Sequence, residues 1–160
     1  MSVEVGDVPS DAVARETLAR WSLAQWSRDF PGDTLEWYLD LYEQAATGPG
    51  LPVCLAATVD GVLAGTASLV ADDELPDATE PGPWVAAVFV APEHRGRGAG
   101  EALVREAVRR ARSLGFGEVY LYTETGVDWY ATMGWEPVRV AGLAGHPVTV
   151  MVHRAGLTTT

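Results

Sequence analysis

The residues best suited to chemistry lie in one stretch, Arg95-Gly96-Arg97-Gly98-Ala99-Gly100, which follows an apolar run from Val85 to Ala91 and a proline, Pro92. Proline cannot donate to a sheet ladder and biases its predecessor toward extended geometry, so a strand ends there. Leu103, Val104, Ala107, Val108, Ala111 and Leu114 then recur at helical spacing. A glycine-rich loop therefore opens a helix. Glycine admits positive φ and leaves main-chain N–H groups unshielded. The first N–H groups of a helix lack intrahelical acceptors, and the helix dipole places partial positive charge at the same point. Together these make an anion cradle suited to phosphate or pyrophosphate, to which Arg95 and Arg97 bring fork-shaped cationic donors.

The composition sets bounds on the partners. A chain of 160 residues, 48% apolar and 21% charged, has the size and balance of one globular domain, read here as residues 1–160. The formal net charge of −11 argues against a nucleic-acid-binding surface. All eleven basic residues are arginines, and six of them (Arg95, Arg97, Arg105, Arg109, Arg110, Arg112) fall in the glycine loop and its helix; the last four of these read as a solvated helix face. No apolar run is long enough to cross a bilayer, and Met1-Ser2-Val3-Glu4-Val5 does not resemble a signal peptide. With a single cysteine, Cys54, an intrachain disulfide is excluded, and a reducing cytoplasmic location is expected.

The elements that must position the loop follow in order. Val3 to Val5 reads as a short strand, and Ser10 or Asp11 caps a helix running to about Trp26. Phe30-Pro31-Gly32 breaks it, and a second helix starts at Asp33 or Thr34 and ends near Thr47-Gly48-Pro49-Gly50. Val53 to Val59 and Val62 to Val70 flank Asp60-Gly61, a hairpin signal. Ala71 to Pro83 is a polar connection into the strand before Pro92. After the long helix, Gly115-Phe116-Gly117 caps its end. Val119 to Tyr122 is a strand, Gly126 to Met133 a short helix, and Trp135 to Val140 and Val148 to His153 two last strands. The Thr158-Thr159-Thr160 end is expected to fray. The fold class expected is α/β (mixed α+β): a central, mixed but mostly antiparallel sheet of six to seven strands flanked by about four helices.

Three kinds of phosphate loop join a strand to a helix. A nucleoside-triphosphate loop needs Gly-Lys and a following Ser or Thr, and this chain has no lysine. A dinucleotide fingerprint needs glycine where Glu101 stands and an acidic residue ending the next strand, where Tyr122-Thr123 stand instead. Coenzyme A remains. Arg95-Gly96-Arg97-Gly98-Ala99-Gly100, led by Val88 to His94, resembles the Arg/Gln-x-x-Gly-x-Gly/Ala signature of the GNAT superfamily of N-acetyltransferases. Tyr130-Ala131-Thr132-Met133-Gly134-Trp135 resembles that family's second signature, with tryptophan where phenylalanine or tyrosine is commoner.

The resemblance implies a single acetyltransferase domain with acetyl-CoA as co-substrate, no metal, an amine acceptor, and a monomer or homodimer. It implies that the backbone of Val88, Phe89 and Val90 pairs with the pantetheine arm in a V-shaped opening beside Val119 to Tyr122. Main-chain N–H groups of Arg95, Gly96, Arg97, Gly98, Ala99 and Gly100 would hold the pyrophosphate, and Tyr130 would serve as acid toward the leaving thiolate.

The general base stays open. Many relatives carry a glutamate on the strand before the loop, but Trp84-Val85-Ala86-Ala87-Val88-Phe89-Val90 has no carboxylate. Asp72, Asp73, Glu74, Glu124 and His146 are the candidates, with His94 and His153 behind them. Five carboxylates between Ala71 and Pro83 (Asp72, Asp73, Glu74, Asp77, Glu80), with no basic residue among them, favour a cationic acceptor. Trp26, Phe30, Trp37 and Trp84 are candidate walls for it. Cys54 reads as a buried structural thiol. The absent strand glutamate also keeps open a non-catalytic acyl-CoA-binding sensor module, and a nucleotide-binding domain stands behind that.

Overall fold

The computed structural model describes residues 1–155; the terminal threonines lie outside the described residues. The chain runs β1 (Val3–Asp7), α1 (Ala12–Trp26), α2 (Leu35–Thr47), β2 (Val53–Val59), β3 (Val62–Val70), β4 (Trp84–Val90), a 3₁₀ turn (Pro92–His94), α3 (Ala99–Ser113), β5 (Glu118–Thr123), α4 (Val127–Ala131), β6 (Glu136–Leu143) and β7 (His146–Arg154). These seven strands and four helices are the mixed architecture expected from the sequence.

Local chemistry accounts for the element ends. Asp11 accepts the Ala14 N–H at 2.8 Å to start α1, and Thr34 accepts the Trp37 N–H at 3.1 Å to start α2. Asp60 and Gly61, at φ 50° and 81°, make the tight turn between β2 and β3. A second turn of the same kind, Ala144-Gly145 at φ 50° and 83°, joins β6 and β7. It lengthens both strands beyond the residues expected and makes His146 the first residue of β7.

The strands form one sheet in the order β1-β2-β3-β4-β5-β7-β6, antiparallel throughout except between β4 and β5. Alternation along β2 separates two cores. Leu55 and Ala57 face α3, packing with Leu103, Val104, Ala107 and Ala111. Cys54 and Ala56 face the opposite side, where α1 and α2 bring Leu18, Ala19, Tyr38 and Tyr42. The glycine loop and α3 are thus held on one face of the sheet and the first two helices on the other.

Candidate active site

The site begins where the sheet comes apart. Strands β4 and β5 pair only at Trp84 and Tyr120, with the Tyr120 N–H also donating to the Pro83 carbonyl at 2.9 Å; beyond that point no ladder joins them. The other edge of β4 is bulged. Ser68 pairs with Ala86 and Thr66 with Phe89, so Ala87 and Val88 together oppose Ala67. Ala87 takes φ 54°, a left-handed conformation that costs an L-residue about 1–2 kcal/mol. A bulge leaves backbone groups unpaired and bends its strand. Main-chain donors are therefore freed where β4 leaves β5.

Two cavities open from this gap. One of about 420 Å³ is lined by Val88, Phe89 and Val90, by the loop residues His94, Arg95, Gly96 and Gly98, and by Ala99, Gly100, Glu101, Trp129 and Tyr130. The other, about 610 Å³, lies between the α1–α2 loop, the β3–β4 connection and the ends of β5 and β7. Gln25, Val88 and Tyr130 line both, so the cavities meet at the bulge and at the phenol.

The smaller cavity contains the cradle. Gly98 caps α3 at φ 88° and Gly96 takes φ 78°. At Gly100 a Cβ would lie 3.3 Å from the Trp129 ring and 3.5 Å from Val90 Cγ2, so a side chain there would crowd both walls. Of the two loop arginines, Arg95 donates from Nε to the Val90 carbonyl at 3.0 Å and lies over the Phe89 ring. It braces the end of β4. Arg97 is exposed and has no ion-pair partner among the described residues. Arg105, Arg109 and Arg110 pair with Glu101, Glu106 and, for Arg110, Asp7 as well, and so belong to the flank of α3. Trp129, 41% exposed beside the glycines, went unnoticed in the sequence because a tryptophan there reads as packing.

Tyr130 stands between the rings of Trp129, 4.8 Å away, and Trp135, 6.0 Å away. Its helix is fixed by the Thr123 hydroxyl, which accepts the Gly126 N–H at 2.9 Å. The Tyr130 hydroxyl has no hydrogen-bond partner among the described residues, and burial pushes its pKa up to about 12.

All five candidate bases, Asp72, Asp73, Glu74, Glu124 and His146, line the larger cavity, and Asp29 and Asp33 join them. These last two stand in the α1–α2 loop, far from the motifs; Asp33 is marked in the sequence only as a possible helix start, and Asp29 by nothing. His146 donates its Nε2–H to Asp29 Oδ1 at 3.0 Å, while its Nδ1 is enclosed without a hydrogen bond, 3.7 Å from Glu124. The hydrogen bond to Asp29 raises the imidazole pKa and lowers that of the carboxyl. Arg28 pairs with both Glu124 and Asp29.

Among the described residues the opposite wall carries no cation. Asp33 accepts the Tyr38 hydroxyl at 3.0 Å, and Asp72 accepts the Glu74 N–H at 2.9 Å in a turn that holds Glu74 at φ 57°. The Tyr122 hydroxyl donates to the Asp73 carbonyl at 3.1 Å. Burial first, then the charges of Glu74, Asp72 and Asp33, raise the Asp73 carboxyl well above the usual carboxylate range. Burial and Asp33 raise Glu74 as well.

Other expected residues fall elsewhere. Trp26, Phe30 and Trp37 line this cavity, whereas Trp84 is 2% exposed and packs on Tyr120 and Tyr122. Glu80 is bonded twice by Arg139, at 2.7 and 2.8 Å, and neither it nor Asp77 reaches the cavity. His153 packs against Trp135 and Arg112, outside both cavities. Cys54 is buried, its thiol pushed up to about 11 by burial, and lines neither cavity. Among the described residues no helix is long and apolar enough to cross a membrane, and no three His, Cys, Asp or Glu side chains are placed to hold a metal ion.

Comparison with known proteins follows the same lines. Residues 15–135 match the model of the Acetyltransferase (GNAT) family. An amino-acid acetyltransferase of Aeromonas salmonicida (strain A449) is 30% identical over 84 residues, 52% of this chain and 18% of that protein, so the match spans about a fifth of the relative. The crystal structure of the PaiA N-acetyltransferase of Thermoplasma acidophilum in complex with coenzyme A superposes over 97% of this chain and 100% of its own, with TM-score 0.72 and 18% identity. That of YncA, a putative acetyltransferase from Salmonella typhimurium with acetyl-CoA, covers 100% of this chain and 98% of its own, with TM-score 0.76 and 16% identity. At these identities the structures speak for the fold.

Proposed function

Because the chain belongs to the acetyltransferase (GNAT) family, we propose that residues 1–160 form one domain, an N-acetyltransferase that moves an acetyl group from acetyl-CoA to a primary amine of a small molecule or peptide, by direct attack in a ternary complex. The observation that carries this reading is the meeting of the two cavities at Val88 and Tyr130. One cavity has the glycine cradle for a donor and the other has acidic walls for an acceptor, and only at their junction can the two react.

On the donor side, the backbone of Val88, Phe89 and Val90 pairs with the pantetheine arm where β5 has left β4, and the N–H groups of Arg95 to Gly100 hold the pyrophosphate. Arg97 adds free positive charge; Arg95 keeps the strand end in place. The main-chain N–H groups at the Ala87–Val88 bulge face the reacting carbonyl and stabilise its oxyanion, where one such donor contributes roughly 10²–10³ in rate. Tyr130 donates its free hydroxyl to the departing thiolate.

On the acceptor side, Asp73 takes the amine's proton, directly or through a water. An ordinary carboxyl near pKa 4 is a weak base toward an ammonium near 10.4, and the raised Asp73 carboxyl narrows that mismatch. His146, with one nitrogen committed to Asp29 and the other enclosed, is a structural partner. Asp33, Asp72 and Glu74, without cationic partners among the described residues, together with the rings of Trp26, Phe30 and Trp37, favour an acceptor that carries positive charge.

The test is a screen of amines with acetyl-CoA, read as release of free thiol. Amine-dependent release, with a kcat/KM that falls as salt rises for cationic amines, is the expected result. Coenzyme A binding without turnover on any amine leaves the non-catalytic acyl-CoA-binding module instead, and tighter binding of ATP or NAD than of coenzyme A overturns both.

A further inference from the structure

A third cavity, about 540 Å³, lies along α3 beyond the cradle and is lined by Arg105, Arg109, Arg112, His153, Met133 and Trp135, with Val104, Val108 and Ser113 completing it. Among the described residues no acidic one lines it, in a chain whose net charge is −11. We propose that this groove binds a phosphate monoester dianion, separately from the pyrophosphate cradle. Its two possible sources are the 3′-phosphate that coenzyme A carries on its ribose and free inorganic phosphate; the first rests on the acyl-CoA reading above.

Three observations carry the assignment. Arg112 has no carboxylate partner among the described residues, since its Nη2 donates to His153 Nδ1 at 2.9 Å and to the Arg154 carbonyl at 3.1 Å. Because the Arg112 guanidinium can only donate, His153 Nδ1 accepts this bond as an uncharged ring nitrogen and the Arg112 charge stays unmatched; burial and Arg112 lower the His153 pKa in the same sense. Arg105 and Arg109 are bonded to Glu101 and Glu106, but both guanidinium groups are largely exposed. Exposed pairs of this kind are weak, and a dianion that accepts fork-shaped hydrogen bonds competes with them effectively. Trp135, only 2% exposed, has an indole N–H without an acceptor among the described residues.

The groove also adjoins the donor cavity on both walls. On α3, Glu101 lines the donor cavity and bonds Arg105 at 3.1 Å. Across from it, Tyr130 of the donor cavity packs on Trp135 of the groove. Arg105 stands seven residues beyond the Gly98 cap, a rise of about 10 Å along the helix. Arg105 is thus the groove arginine nearest to a phosphate one ribose away from a cradled pyrophosphate, with Arg109 one turn further on.

The experiment measures the affinities of coenzyme A and 3′-dephospho-coenzyme A for the wild type and for the doubly substituted R105Q/R109Q chain, together with the thermal midpoint of each in inorganic phosphate and in chloride at equal ionic strength. Both substitutions fall on exposed side chains, and a circular dichroism spectrum matching the wild type shows that the variant folds. A wild-type preference for coenzyme A of about tenfold or more, collapsing to within about twofold in the variant, establishes the site with the donor as its source. Equal affinity for the two donors, with a phosphate-specific rise in midpoint of at least about 2 °C that the variant loses, establishes it with free phosphate as the source. Equal affinity with no such rise overturns the proposal, as does a tenfold preference that survives in the variant. If neither donor binds, the acyl-CoA reading fails by itself, and the inorganic phosphate arm alone decides the groove.

Discussion

Tyr130→Phe removes one oxygen at the junction of the two cavities, where the proposed mechanism puts the leaving thiolate. The hydroxyl has no partner among the described residues, so its loss breaks no hydrogen bond, and the ring keeps its contacts with Trp129 and Trp135. Stability should change by less than about 0.5 kcal/mol. The rate should not escape so lightly. With the phenol near 12 and a thiol near 8.5, complete proton transfer to the thiolate is uphill by about 3.5 pK units, or ~5 kcal/mol. On the proposed mechanism Tyr130 would therefore act by hydrogen-bonding the developing thiolate and keeping its own proton. A hydrogen bond to a charged group contributes about 1.5–3 kcal/mol, which is roughly a tenfold to hundredfold loss of kcat in the variant. Acetyl-CoA affinity should stay within about twofold, and kcat should show no alkaline limb from Tyr130 below about pH 10. Single-turnover thiol release, paired with calorimetric titration of acetyl-CoA, separates the two quantities. An unchanged kcat, or a loss accounted for wholly by weaker acetyl-CoA binding, refutes the assignment.

Asp73→Asn should lower kcat and remove the acidic limb of the pH–rate profile, a limb that lies above the ordinary carboxylate range in the wild type because the folded carboxyl holds its proton more tightly; a limb that persists in the variant excludes Asp73 as the base. For the same reason the charged form is strained in the fold, so the variant should unfold at a higher temperature than the wild type at pH 8, and this gain should vanish as pH falls below about 4. Glu80→Gln should act in the opposite sense. Arg139 holds Glu80 at a pKa of about 2, so the pair stabilises the fold above about pH 5 and ceases to do so as pH falls toward 2. Discounted for the exposure of Arg139, the substitution should cost about 1–2 kcal/mol and lower the midpoint by about 2–8 °C at neutral pH, with turnover at 25 °C preserved because Glu80 lies outside the cavity.

The parts of the fold that were legible beforehand are those where one residue type does the physical work. Gly96 and Gly98 announce a backbone at positive φ, and Asp60-Gly61 announces a tight turn; in both places the structure has the positive φ these residues permit. The bulge at Ala87 and the turn at Ala144 use the same region of φ with alanine, a residue that gives no sign of it. Both are sustained by neighbours instead: the ladders on either side of Ala87 are already committed to β3, and β6 and β7 are zipped along their lengths. The acceptor cavity was legible by charge but not by membership. Asp29 meets His146 across 117 positions of chain, a juxtaposition that only the closing of β5, β6 and β7 produces.

The acidic connection between β3 and β4 shows why charge counted along a chain is a poor guide to charge felt in a site. Its five carboxylates look alike in the sequence, yet the fold divides them. Asp72 folds back onto the Glu74 N–H, which turns Asp72, Asp73 and Glu74 into the cavity, while Arg139 from β6 draws Glu80 away and neutralises it. Strand β4 imposes that division. Because it leaves β5 after a single pair, its backbone is free on one edge, and an edge that recognises the donor by its main chain, as proposed, needs no catalytic side chain of its own. A strand without a carboxylate is then consistent with catalysis, provided that a base reaches the junction from the connection entering it. Asp73, whose carboxyl is raised, lines the cavity that opens onto that junction.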